Sequence, residues 1–317
     1  MRKTMRKIII AYDGSPCAKA AINDLKNAGL PDEVEATIVS VADVWLPPDD
    51  QTTLDLLPDE PPAAVVAARN RAKEAIDQSL MRAVEGAQFV RQLFPQWIVR
   101  TQNCSDSPAW ALVKKAEDWE AEMIVVGAHG RSTLERIMLG SVSQTVAANA
   151  KCSVRIGRLS SKAAEAPLRL LIGYDGSANA EALIKEVAAR HWVAGTQVRV
   201  LVVIDDVLAT VHPWRIPGYI TWTVGEPGES YENSEEWIKK MAGDAAQRLQ
   251  ENGLAAAAVV RHGNPKELLV EEANEWDADC IFVGARGLGR FERFLLGSVS
   301  NAVSSRAHCT VEVVRSA

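Results

Sequence analysis

Apolar residues gather along this chain in short dense runs, and between the runs they recur at helical spacing. KIIIAY (7–12) is an uninterrupted run and predicts a short buried strand. Residues 16–28 carry Ala20, Ile22, Leu25 and Ala28 at helical intervals. ATIVSVA (36–42) predicts a second strand. Residues 63–93 predict a long helix, with Val65, Val66, Ile76, Leu80 and Val84 among its apolar positions. QWIVRTQ (96–102), EMIVVG (122–127) and CSVRIG (152–157) predict three more strands, with helices at 108–119 and 141–150 between them. Strand–helix alternation with continuously apolar strands implies a parallel sheet covered on both faces.

The pattern then repeats. KIIIAYDGS (7–15) returns as RLLIGYDGS (169–177), 162 residues later. EMIVVGAHG (122–130) returns as DCIFVGARG (279–287) and LGSVS (139–143) as LGSVS (296–300), now 157 residues later. Cys152 and Cys309 share the second offset. A unit of about 150 residues is too long for a solenoid repeat, so the chain reads as a duplicated domain. The expected domains are 1–158 and 167–317, joined by RLSSKAAEAP (158–167). The expected fold is α/β, doubly wound, twice.

Composition narrows the function. The formal net charge of −6 argues against a general binder of nucleic acid or anionic membrane, which needs a basic face. No apolar run approaches the ~18 residues of a membrane span. The opening MRKTMRKIII is basic, but its apolar stretch runs into Asp13, too soon for a signal-peptide core. A cytoplasmic location is expected. The five cysteines are widely spaced with no C-x-x-C pair, which disfavours a disulfide framework or zinc site. Cys152 and Cys309, at the start of the final strands, read as packing residues.

Two loops stand out, each present twice. Asp13-Gly14-Ser15-Pro16 follows strand one, and Asp175-Gly176-Ser177-Ala178 is its counterpart. Helix capping accounts for Ser15, Pro16 and Ser177. It does not account for Asp13 and Asp175, which sit at the carboxyl end of a strand, where open α/β sheets bind ligands. The second loop reads Gly127-x-x-Gly130-(nine residues)-Gly140-Ser141 and Gly284-x-x-Gly287-(nine)-Gly297-Ser298. Glycines there let backbone amides approach a phosphate. Ser141-Val142-Ser143 and Ser298-Val299-Ser300 then open a helix, whose free N–H groups and positive dipole end attract anions and whose serine hydroxyls can add hydrogen bonds. Turn formation plus capping would explain Gly140-Ser141 alone, but not the earlier glycine pair. There is no Walker loop, no G-x-G-x-x-G after strand one, and no G-x-S-x-G or H-E-x-x-H.

This layout resembles the universal stress protein family in its tandem form, over nearly the whole chain. The signature G-2x-G-9x-G-[S/T] is present in both halves. The resemblance implies ATP binding, with the loop holding phosphates and ribose. It places the strand-one Asp near the phosphates, often with Mg²⁺ or Mn²⁺, and so makes Asp13 a candidate metal contact. It implies an adenine contact from Val41, and from Val203 in copy two. Ala11 and Gly173, beside the strand-one ends, complete the expected nucleotide-binding set with His129 and Arg131. Copy two departs more: Arg286 stands for His129 and Leu288 for Arg131. Both copies have Ala (Ala128, Ala285) where many members carry a hydroxyl. The family's sheet order, 3-2-1-4-5, reverses its winding between strands one and four, so both loops would border one crevice. The family also pairs domains through the final strand. The two halves are therefore expected to pack as an intramolecular pseudo-dimer, with a homodimer through the final strands as a further option.

Three functions stay open on the sequence: a nucleotide-binding regulator with protein partners under stress, a slow ATPase, and a nucleotide-free scaffold. No evident base is paired with a nucleophile, which weakens the second. Trp97, Trp110, Trp119, Trp237 and Trp276 lie in helix or strand patterns and read as packing residues. Trp45, Trp214 and Trp222 fall in long Pro-rich acidic connections, 45–62 and 206–230, that would emerge near the crevices.

Overall fold

A computed structural model describes residues 5–44, 63–130, 139–159, 166–205, 231–287 and 296–315. The long connections 45–62 and 206–230, with Trp45, Trp214 and Trp222, lie outside the described residues, as do Arg131 and Leu288.

Half one runs β1 (Arg6–Ala11), α1 (Pro16–Asp24), β2 (Val34–Ala42), α2 (Ala63–Leu93), β3 (Ile98–Ser105), α3 (Pro108–Asp118), β4 (Met123–Gly127), α4 (Ser141–Asn149) and β5 (Ser153–Gly157). Half two repeats the order with β6 (Arg169–Gly173), α5 (Ala178–Ala188), β7 (Gln197–Ile204), α6 (Tyr231–Glu251), β8 (Ala255–His262), α7 (Pro265–Glu275), β9 (Cys280–Gly284), α8 (Ser298–Arg306) and β10 (Thr310–Val314). Among the described residues no helix is long and apolar enough to cross a membrane.

The strands are apolar at successive positions because both faces are covered. Ile8 and Ile10 enter one core with α1 and α2, while Ile9 enters the other with α3 and α4. Half two repeats this two-sided core. Each half is a parallel five-stranded sheet in the expected order, and the two join into one ten-stranded sheet, β3-β2-β1-β4-β5-β10-β9-β6-β7-β8. The join is the antiparallel pair β5–β10, with Val154 opposite Val313, Arg155 opposite Glu312, and Ile156 opposite Val311.

That join corrects the homodimer option. β5 is bonded to β4 and β10, and β10 to β5 and β9, so neither final strand has a free edge for a second chain.

The seam also carries buried charge. Arg155 and Glu312 occupy equivalent positions of the two halves and are both fully buried. Arg155 bonds Asp24 at 2.7 Å and Glu312 at 2.8 Å. Arg190, also buried, chelates Glu312, and Arg6 reaches Glu186 across the seam at 2.5 Å. Burial opposes charge on Glu312, but Arg190 and Arg155 reverse this and hold its carboxyl below the ordinary 4.5. Two copies of half one pairing this way would set Arg155 against Arg155, and two of half two would set Glu312 against Glu312. The seam therefore fits only unlike halves.

Long helix α2 departs from the expected pattern. Its buried positions are small, at Ala72, Ser79, Ala83, Gly86 and Ala87, plus Val90. Val66, Leu80 and Val84 are exposed instead. The cause is close approach to the sheet: a Cβ on Gly86 would lie 2.8 Å from the Tyr12 ring. Trp97 is buried and stacks on Phe94, but Trp110 and Trp237 are exposed, correcting their reading as packing residues.

Candidate functional site

The two loops of half one meet at the carboxyl ends of β1 and β4. After β1 the chain turns through Gly14 at φ +81°, a conformation costly for any residue with a Cβ. Asp13 Oδ1 accepts from the Ser15 amide at 2.9 Å, and Ser15 Oγ accepts from the Ala18 amide at 3.1 Å. Ser15 is thus the cap of α1, as its sequence context indicates. Asp13 Oδ2 turns the other way, toward Gly130, where an added Cβ would lie 3.2 Å from it. Asp13 and Gly130, from opposite loops, share one crevice.

The glycines have separable reasons. Gly127 lets α1 pack against the end of β4, since a Cβ there would lie 2.8 Å from the Cys17 backbone. Gly140 closes the loop, donating its amide to Ala128 O at 2.8 Å. Gly140 is also the N-cap of α4, and it offers no capping side chain. The opening amides of α4, at Ser141, Val142 and Ser143, therefore lack the side-chain acceptor that Ser15 gives α1. Ser141 is exposed. The buried Ser143 donates its hydroxyl to Gly127 O at 2.6 Å, so that proton is committed to the strand end. This revises the expectation that both serine hydroxyls are free to bond a phosphate. Ala11, Val41 and Val142 are half-buried around the same core and form an apolar lip beside the loop. His129 is half-buried within the loop.

Half two rebuilds this skeleton. Gly176 turns at φ +72°, Ser177 caps α5 at 3.2 Å, and Asp175 accepts from the Ser177 amide at 3.0 Å. Gly297 donates to Ala285 O at 2.8 Å and caps α8 without a side chain, leaving the amides of Ser298, Val299 and Ser300. Ser300 donates to Gly284 O at 2.6 Å, the match of Ser143. Gly287 comes still closer to Asp175, with a Cβ position 2.5 Å from Oδ2.

The model of the universal stress protein family matches residues 4–158 and again 168–315. The chain belongs to the universal stress protein family. Universal stress protein Rv2623 of Mycobacterium tuberculosis is 26% identical over 315 residues, covering 97% of this chain and 96% of that protein. A universal stress protein of Mycolicibacterium smegmatis is 31% identical over 220 residues, covering 68% of this chain and 69% of its own. The match to Rv2005c of M. tuberculosis, at 30% identity, covers 62% of each chain, just under two thirds. Among solved structures, a universal stress protein from Archaeoglobus fulgidus has the same fold, with TM-score 0.58, 19% identity and 98% coverage of both chains.

Within this tandem universal stress protein the two crevices differ in side chains. Arg82 of α2 covers Gly14, its Cγ and Cδ 3.8 Å from a Cβ position there. The Met241 sulfur covers Gly176, 2.7 Å from a Cβ position there. Cys17 stands at the start of α1 where α5 has Asn179, which donates to Arg286 O at 3.2 Å. Gly173, the counterpart of Ala11, is crowded by Leu269, 3.1 Å from a Cβ position, while Val203 packs on the core as Val41 does. Tyr12 donates to Glu85 at 2.9 Å, and burial with that carboxylate raises its pKa. Tyr174 donates instead to Glu181, which Arg248 also binds, and burial pushes it up to about 12. The covering residues Arg82 and Met241 were not legible in the sequence, because the insertions between the copies shift the register of α2 against α6.

Asp13 is a single carboxylate, and among the described residues no cluster of three His, Cys, Asp or Glu could hold a metal by itself. Its Oδ2, which faces Gly130 while Oδ1 takes the Ser15 amide, suits a metal whose remaining positions come from a ligand and water. An open groove of about 680 Å³ at the seam, lined by Arg6, Glu122, Lys151, Glu186 and Arg315 among others, contains no residue of either loop.

Proposed function

We propose that this universal stress protein binds ATP, in the crevice between β1 and β4 and in its counterpart between β6 and β9. The observation that carries the reading is a contrast of helix caps. α1 and α5 are closed by Ser15 and Ser177, whereas α4 and α8 begin on glycines that leave their first-turn amides to an outside acceptor. A phosphate chain supplies such an acceptor, and the helix dipole favours its charge.

Triphosphate would lie over the amides of Ser141, Val142 and Ser143, with Gly127, Gly130 and Gly140 shaping the loop. His129 and Arg131 would add contacts from the same loop. Asp13 would take Mg²⁺ or Mn²⁺ arriving with the nucleotide, which neutralises the meeting of carboxylate and phosphates. Adenine would rest on the lip of Ala11 and Val41. In half two the same roles fall to Asp175, Gly284, Gly287, Gly297, Ser298, Val299 and Ser300, with Gly173 and Val203 on the adenine side. Bound nucleotide then sets the surface that the protein offers to protein partners in the cytoplasm during stress. Native mass spectrometry of protein purified without added nucleotide tests this. Retained ATP, or a mass shift on adding ATP with Mg²⁺, is expected, and neither retention nor titratable binding would sink the reading.

A further inference from the structure

Two arginines cross the seam in opposite directions and do the same thing. Arg158 follows β5 and Arg315 follows β10, at equivalent places in the two halves. The Arg315 guanidinium donates to Ala147 O at 2.5 Å and to Cys152 O at 3.3 Å. Arg158 donates to Ser304 O at 2.8 Å and Cys309 O at 3.2 Å. Ala147 and Ser304 are matching carbonyls in the last turns of α4 and α8. The arginine amides are matched as well: Arg315 donates to Ser153 Oγ at 3.1 Å and Arg158 to Thr310 Oγ1 at 3.2 Å. Burial pulls Arg315 down to about 10, which leaves it charged at neutral pH. Each half therefore places a cation at the carbonyl end of the other half's loop helix.

Those helices have nine residues each, so they are short enough to depend on their anchors. The amino end of α4 is held by its own half, through Ser143 and Gly127. Its carboxyl end is held by the other half, through Arg315. Leu296, one residue before Gly297, packs against the cores of both halves.

We propose that Arg158 and Arg315 are positioning residues for the crevice of the opposite half, so that each half sets the definition of the other's phosphate-binding amides. This rests on the nucleotide reading of the loops. Without its cation, the last turn of α4 loses its dipole partner and frays, and a nine-residue helix passes that looseness to its first turn.

The test titrates ATP with Mg²⁺ calorimetrically into the intact chain carrying Gly287→Ala, which crowds Asp175 and silences crevice two. Adding Arg315→Ala should weaken crevice one about fivefold, and adding Arg158→Ala by less than twofold. Hydrogen exchange of the nucleotide-free chain should show the α4 amides exchanging faster with Arg315→Ala and unchanged with Arg158→Ala. A structural role for the arginines would lower the melting temperature in both variants without that selectivity. Binding that survives Arg315→Ala unchanged, or falls equally with either arginine, overturns the inference alone. Absence of binding even in the wild-type chain overturns the nucleotide reading and the inference together.

Discussion

Crevice one and crevice two are the same backbone device under different side chains. Both turn through a left-handed glycine, both cap the first helix with serine, and both open the second helix on glycine. Above that skeleton Arg82 faces Met241, Cys17 faces Asn179, and Ala11 faces Gly173. Amides and dipoles recognise a phosphate without any particular side chain, so on the proposed nucleotide reading the side chains around them are free to set the affinity of each crevice. The halves diverge most sharply where they touch, at Arg155 and Glu312. There the difference has become a requirement.

The largest effect should come from erasing that requirement. Glu312→Arg would bury three arginines together and cost about 3–5 kcal/mol, read from urea unfolding. Arg155→Met with Glu312→Leu removes the central pair but leaves Asp24 and Arg190 buried beside it, Asp24 keeping Thr310 and Arg190 keeping Glu186, so its loss should be smaller than that of Glu312→Arg; an equal loss would show that the pair adds stability beyond selecting unlike halves. Acid tests the same pair. The Glu312 carboxyl is depressed in the folded state, so its contribution is present above 4.5 and is lost as pH falls through the lower folded value. Unfolding midpoints should drop below pH 4.5 in the wild type, and the apolar double variant should lose less.

Next in size, Gly127→Ala should cost about 1–3 kcal/mol in scanning calorimetry, because its Cβ would lie 2.8 Å from helix backbone. Gly284→Ala meets its nearest atoms at 3.2 Å and should cost less. Equal losses would erase the packing difference between the crevices.

Asp13→Asn keeps the acceptor for the Ser15 amide and removes the charge. With Mg²⁺ present, ATP affinity at crevice one should fall about tenfold, roughly 1.4 kcal/mol. Without Mg²⁺ it should hold or rise, since the carboxylate then only repels phosphate. A fall in both conditions would contradict a metal-mediated role. Smallest of all, Arg82→Met should weaken crevice one and Met241→Arg strengthen crevice two, each by about two- to fivefold. No change in either would separate the cover residues from affinity.

Much of this was readable in the chain. Uninterrupted apolar runs such as KIIIAY marked strands buried on both faces, and the offset copies of DGS and LGSVS marked two crevices. The sheet order came from family resemblance, because periodicity does not say which strands are neighbours. Helix α2 was found, but its inward face was not: close packing on Tyr12 and Ile38 selects Gly86 and Ala87, which carry little hydrophobic signal. The opposite charges in SVRIG and TVEVV were visible at matching positions, yet only the antiparallel join makes them partners. The serines that open the loop helices look like ligand donors in the sequence, and only the fold shows that Ser143 and Ser300 donate their hydroxyls to strand carbonyls.

The uncapped start of α4 can be tested directly by Gly140→Ser. A serine there would offer its own oxygen to the first-turn amides and compete with phosphate, while supporting the helix as Ser15 supports α1. Titration of ATP with Mg²⁺ into nucleotide-free protein should show two sites in the wild type. The tighter should weaken at least about tenfold in Gly140→Ser, with no loss of melting temperature. Two sites unchanged by the substitution, or no site in the wild type, would contradict a phosphate role for those amides.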